Sequence, residues 1–215
     1  MEHDLTVWGV GTSRTIRVLW MLAELGLEYE LHPIGSRTGE TQSPEFLRLN
    51  PRHKIPVLQH GSFVVTESAA ILQYLNETFP HPDIYTPGDA PGRARLAEWC
   101  YFIMTELDAG SLYVVRRHAG LKHLYGEAPV AVEAGKEYFL HNIEAMAAGI
   151  GIESRYLLGD QLSTADILMM TCLEWARIEK LALPENVMKY RDRLASRPAF
   201  KIALAKNFPK QQELS

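Results

Sequence analysis

Thr12, Ser13 and Arg14 stand together between a glycine break, Gly9-Val10-Gly11, and an apolar helical run. A hydroxyl in the first turn of a helix has two uses. It can accept a main-chain N–H as a cap, or it can donate a hydrogen bond to an anion held at the positive end of the helix. A thiol bound there would be drawn toward its thiolate by both effects. Further on, His53-Lys54-Ile55-Pro56-Val57-Leu58 enters a short strand through a proline. An aliphatic–proline step at a strand start is a candidate cis bond. Such a bond would leave the N–H and C=O of Ile55 as a free edge for an extended peptide. Thr66-Glu67-Ser68-Ala69-Ala70-Ile71 then passes from a strand end into an amphipathic helix. The first N–H groups of that helix suit a carboxylate.

The pattern Asn50-Pro51-x-x-Lys54-Ile55-Pro56-Val57-Leu58, followed by Glu67-Ser68-x-Ala70-Ile71-x-x-Tyr74-Leu75, resembles the glutathione-binding signature of the glutathione S-transferase family. The likeness extends from the first strand to the last helix. The resemblance implies that Lys54 meets the glycine carboxylate of glutathione, with His53 assisting. It implies that Ile55, ahead of Pro56, offers only main chain. Glu67 would take the γ-glutamyl ammonium and Ser68 the γ-glutamyl carboxylate, and Arg14 would reach a carboxylate or an electrophile oxygen. No tyrosine or cysteine lies in the Gly9–Arg14 turn, so a serine-type, bacterial-like subclass is implied. Counted back from the helix end Glu24-Leu25-Gly26, Thr12 falls where that subclass carries its serine, and Ser13 lies one residue on at the cap. Ser13 is the preferred donor to the thiolate, with Thr12 kept beside it.

The implied activity is a glutathione transferase that conjugates glutathione, as co-substrate and without a metal, to a small apolar electrophile in detoxification. The electrophile would lie between Thr12-Ser13 and the first long helix of a second domain, near Met104, Leu107, Asp108, Ser111, Leu112 and Val115. A homodimer is implied as well. Glutathione-dependent isomerisation or peroxide reduction at the same site is an alternative, and so is a non-catalytic module of the same fold serving in protein assembly. Intact Lys54, Glu67 and Ser68 argue against that last reading.

The elements needed to position these groups are legible in order. Leu5-Thr6-Val7-Trp8 alternates as a strand, and Ile16, Val18, Leu19, Leu22 and Leu25 recur at helical spacing up to Gly26. Leu27 to Leu31 alternates again, and Ser43-Pro44 opens a short helix. The strands around Val57 and Val64 flank a turn at Gly61, and a helix runs from Glu67 to about Phe79. The order is βαβαββα, a thioredoxin-like domain over residues 1–80. Residues 81–92, rich in proline, read as a linker. Residues 93–215 read as all helical. Leu96 to Leu107 keeps a helical stripe that continues to His118, another helix spans Ala131 to Ala148, and Ser163 with Asp166 forms a capping box before an apolar helix, Ile167 to Leu181. Pro184 and Pro198 open two more.

Composition bounds the rest. The chain has 215 residues, 47% hydrophobic and 22% charged, with a net charge of −4. It carries no basic excess for nucleic acid and no apolar run of the roughly 20 residues a membrane span needs. Met1-Glu2-His3-Asp4 lacks the apolar core of a signal peptide. Cys100 and Cys172 read as buried reduced thiols, which fits a cytoplasmic protein. Eight histidines show no metal-ligand spacing. Gly9-x-Gly11-x-x-Arg14 lacks the third glycine of a dinucleotide fingerprint.

Overall fold

The computed structural model describes residues 4–147 and 155–209. These divide into two compact units, residues 4–82 with 195–209, and residues 83–147 with 155–194.

In the first unit, β1 (Leu5–Trp8) leads into α1 (Thr15–Glu24), and β2 (Glu30–His32) follows. α2 (Pro44–Leu49) precedes the hairpin of β3 (Val57–His60) and β4 (Phe63–Thr66), and α3 (Ser68–Thr78) completes the βαβαββα order. The sheet runs β2-β1-β3-β4, with β1 parallel to β2 and antiparallel to β3. This is the thioredoxin-like arrangement. Alternation in β1 sends Leu5 and Val7 inward, and α1 buries Val18, Leu19, Trp20, Met21 and Leu22 completely. Each such side chain contributes about 1.5–3 kcal/mol by burial. Ser43 caps α2, its hydroxyl accepting from the Phe46 N–H at 3.2 Å, and Phe46 then packs with Trp8, Ile55 and Val57.

The second unit holds the central helices. α4 (Ala90–Phe102) starts inside the stretch read as linker, because Asp89 caps it through the Gly92 N–H at 2.8 Å. The stripe from Leu96 predicts one α-helix to His118. Instead the chain widens to π-helical turns at Ile103–Leu112 and Arg116–Gly120, on either side of α5 (Tyr113–Val115). Bonds spanning five residues mark both stretches: the Ser111 hydroxyl donates to the Glu106 carbonyl, and Leu121 N–H donates to the Arg116 carbonyl at 2.8 Å. α6 (Lys122–Tyr125) and α7 (Pro129–Ala147) follow; Ala148, the expected helix end, lies outside the described residues. α8 (Thr164–Ile178) is buried along most of its length, and α9 (Glu185–Ala195) is bonded to it through Tyr190 to Asp166 and Arg191 to Glu174.

The Ser163–Asp166 capping box is present. The Asp166 carboxylate accepts from Ser163 N–H at 2.8 Å, Ser163 O–H at 2.5 Å, Leu157 N–H at 2.9 Å and Tyr190 O–H at 2.5 Å. Burial raises its pKa above the usual carboxylate range, against the pull of those donors.

The last helix, α10 (Pro198–Asn207), belongs to the first unit and not to the helical segment that precedes it in sequence. Arg197 holds Glu24 of α1 through two bonds, Nε to Oε1 and Nη2 to Oε2, each 2.6 Å. Phe200 meets Trp20 edge-on, with ring centroids 4.9 Å apart.

Candidate active site

The turn between β1 and α1 is shaped by two glycines, Gly9 at φ +120° and Gly11 at φ +78°, where a side chain would be strained. Gly9 is also where two segments touch. A Cβ there would stand 2.7 Å from Ile55 Cβ and 2.9 Å from Thr15 Cγ2. The hydroxyl-bearing turn is therefore pressed against the Ile55–Pro56 segment, and only glycine permits that approach.

Thr12 and Ser13 differ sharply in surroundings. Thr12 Oγ accepts the Thr15 N–H at 3.0 Å and pairs with the Thr15 hydroxyl at 3.0 Å. It is the functional cap of α1, whose first helical bond runs from Ile16 N–H to the Thr12 carbonyl at 3.2 Å. Ser13 is half-buried, and its hydroxyl has no hydrogen-bond partner among the described residues. Arg14 is half-buried beside it.

The Ile55–Pro56 bond is cis. Asn50, buried, bridges the loop before it: Nδ2 donates to the Lys54 carbonyl at 2.8 Å and Oδ1 accepts from Arg52 N–H at 3.1 Å. The Ile55 side chain is buried, and its N–H and C=O have no partner among the described residues. Lys54 is exposed. His53, at φ +56°, donates from Nδ1 to the Thr41 carbonyl at 3.2 Å.

Glu67 stands ahead of α3 at φ +66°, ψ 117°, a conformation a non-glycine residue seldom takes. Its carboxylate pairs with Arg52 at 3.2 Å, and Arg52 also donates to the Thr66 hydroxyl. Ser68, almost fully buried, opens α3, and its hydroxyl accepts from Arg17 Nη1 at 3.1 Å. Arg17 has no exposed surface at all. A guanidinium and a helix N-terminus thus act together at Ser68, and both favour a carboxylate.

The sequence matches two family models, "Glutathione S-transferase, N-terminal domain" over residues 3–77 and "Glutathione S-transferase, C-terminal domain" over residues 102–198. It is 31% identical over 199 residues to glutathione S-transferase D7 of Drosophila melanogaster, covering 87% of this chain and 82% of that one. The chain belongs to the glutathione S-transferase family. It is also 30% identical over 166 residues to glutathione S-transferase theta-1 of Bos taurus, covering 74% of this chain and 68% of the other. The fold matches that of glutathione transferase URE2P6 from Phanerochaete chrysosporium, solved in complex with oxidized glutathione, with a TM-score of 0.82, 22% identity and 99% and 98% of the two chains covered.

The residues expected to meet glutathione, Thr12, Ser13, Arg14, His53, Lys54, Ile55, Pro56, Glu67 and Ser68, all lie in the first unit. Gly9 ties the first group to Ile55, and Arg17 ties α1 to Ser68. Of the residues expected to face an electrophile, Leu107, Asp108, Ser111, Leu112 and Val115 are buried and Met104 is half-buried. Arg17, Arg52 and Asn207 are polar neighbours of the site that motif spacing misses. Arg17 alone leaves a trace in the sequence, as a cation inside the apolar run of α1.

Among the described residues no group of three His, Cys, Asp or Glu is placed to hold a metal, and no helix is long and apolar enough to cross a membrane. Neither cysteine is in a disulfide, and burial together with the charge of Asp166 pushes the Cys100 thiol up to about 12.

Proposed function

We propose that this chain is a glutathione transferase that holds glutathione along the Ile55 edge and keeps its sulfur as a thiolate with the Ser13 hydroxyl. The carrying observation is the contrast at the head of α1: Thr12 is spent on capping, whereas the Ser13 hydroxyl has no partner among the described residues. The main-chain groups of Ile55 receive the cysteinyl part of the ligand. Lys54, with His53 beside it, meets the glycine carboxylate. Glu67 meets the γ-glutamyl ammonium, and Ser68 at the tip of α3 meets the γ-glutamyl carboxylate, with Arg17 behind it.

The energetics are adequate. A free thiol with a pKa of about 8.5 is only a few per cent ionised at pH 7. Lowering it two units takes about 2.7 kcal/mol. A hydrogen bond to the charged sulfur contributes roughly 1.5–3 kcal/mol, and the helix terminus about 0.3–1 kcal/mol. The thiol proton leaves to solvent, and the sulfur lone pair forms a carbon–sulfur bond to the electrophile. The leaving group departs with the bonding pair; in an addition, the pair moves onto the acceptor and is protonated by water. Cys100 plays no part, because its thiol stays protonated at neutral pH.

The same reading makes the electrophile small and apolar, the enzyme a homodimer and its compartment the cytoplasm, in keeping with two cysteines that form no disulfide. The test is calorimetric titration with glutathione, followed by conjugation to chlorodinitrobenzene. Binding with turnover is expected. Binding without turnover of that electrophile or of a hydroperoxide would overturn the transferase and leave an assembly module of the same fold.

A further inference from the structure

Asn207 closes α10 and is buried, yet all of its side-chain bonds go to the turn that carries Ser13. Oδ1 accepts the Gly11 N–H at 2.9 Å and the Thr15 hydroxyl at 2.6 Å, and Nδ2 donates to the Thr12 carbonyl at 2.9 Å. The Asn207 carbonyl accepts the Gly11 N–H as well, at 2.9 Å. One amide thus grips the chain on both sides of Ser13. The turn has little else to fix it on that side: Gly11 is exposed, and a Cβ there would meet nothing within 4 Å.

We infer that Asn207 is a positioning residue for catalysis, setting the Ser13 hydroxyl where it reaches the sulfur of bound glutathione. This rests on the proposed role of Ser13. Asn207 touches neither ligand nor reacting atom; it acts by holding Gly11, Thr12 and Thr15. A displacement of about 1 Å in such a donor is enough to lose most of its effect. The carboxylates of glutathione are met by other segments, around Lys54 and Ser68, so the loss falls on the sulfur and not on binding.

The experiment uses the full-length protein. Asn207→Ala is compared with the native protein by spectroscopic titration of the bound thiolate and by separate kcat and KM values for glutathione with chlorodinitrobenzene. Arg14 beside the turn and Lys206 next to Asn207, whose Nζ lies 4.7 Å from the centroid of the Tyr29 ring, keep their charges in the variant. A shift in titration therefore reports the grip and not a change in charge. The expected result is a bound-thiol pKa about one unit higher and a kcat at pH 6.5 about fivefold lower, with KM for glutathione unchanged. Thr15→Val and Thr15→Ser decide the matter if Asn207→Ala does not fold. Valine deletes the hydroxyl that Asn207 receives, together with that hydroxyl's bonds to Thr12, and serine keeps them all, so only valine should move the titration. Unchanged titration in Asn207→Ala, or equal titrations for valine and serine, overturns the inference. A native protein whose bound thiol is depressed, with variants that match it, removes Asn207 alone. A native protein whose bound thiol titrates like free glutathione removes the role of Ser13 as well.

Discussion

Two adjacent hydroxyls, Thr12 and Ser13, sit within one turn in different surroundings. Thr12 is bound on both sides by Thr15, so replacing it by valine removes a cap. That should lower stability by about 1–2 kcal/mol in urea denaturation and leave the bound thiol's titration where it was. Ser13→Ala should do the opposite: the bound thiol's pKa rises while calorimetric affinity for glutathione and the urea midpoint barely move. If the titration is unaltered in Ser13→Ala and shifted in Thr12→Val, the donor has been misassigned. At the other end of the ligand, Ser68→Ala removes a hydroxyl held by the buried Arg17, and Glu67→Ala removes the carboxylate paired with Arg52. Each should weaken glutathione binding by roughly 1–3 kcal/mol. Equal affinity in either variant takes that residue out of the site.

Helix α8 is set by its first turn. Asp166 takes four donors in an enclosed environment, one main-chain N–H on each oxygen, so in Asp166→Asn the amide N–H₂ faces a main-chain N–H that can only donate. A loss of about 3 kcal/mol is expected, from the cap and from stranded donors. Because burial raises this carboxyl's folded pKa, the native state retains its proton above the ordinary aspartate value near 4. Its contribution is therefore full below that value and is lost as pH rises through the folded pKa. Urea midpoints measured across that window should fall more with rising pH in the native protein than in Asp166→Asn. Parallel slopes would show that Asp166 does not titrate there.

The first unit is closed by the far end of the chain. Arg197 binds Glu24, Phe200 packs on Trp20, and Asn207 holds the turn at Gly11 and Thr12. Loss of a buried phenylalanine alone costs about 3–5 kcal/mol. A protein ending at Leu194 keeps every residue assigned to glutathione binding. It should nevertheless fail to stay on a glutathione resin, because the α1 face that α10 covers is laid open. Full retention by that truncated protein would show that α10 contributes nothing to the site.

The order of strands and helices up to Thr78, the cap of α2, the capping box of α8 and the segments around Ser13, Ile55 and Ser68 were all legible in residue order. Each depends on neighbours a few positions away: alternation in β1, Ser43 before Pro44, Ser163 three ahead of Asp166, a proline at a strand start. What lay beyond such reading depends on residues distant in sequence. Arg17 beside Ser68 and Asn207 beside Gly11 are separated by 51 and 196 positions, and no local spacing marks either pair. The stripe at Leu107, Leu112 and Val115 has the same periodicity whether it faces a cleft or an interior. These three side chains are buried, and what covers them is set by packing between segments far apart in sequence, since apolar surface goes wherever it loses most water.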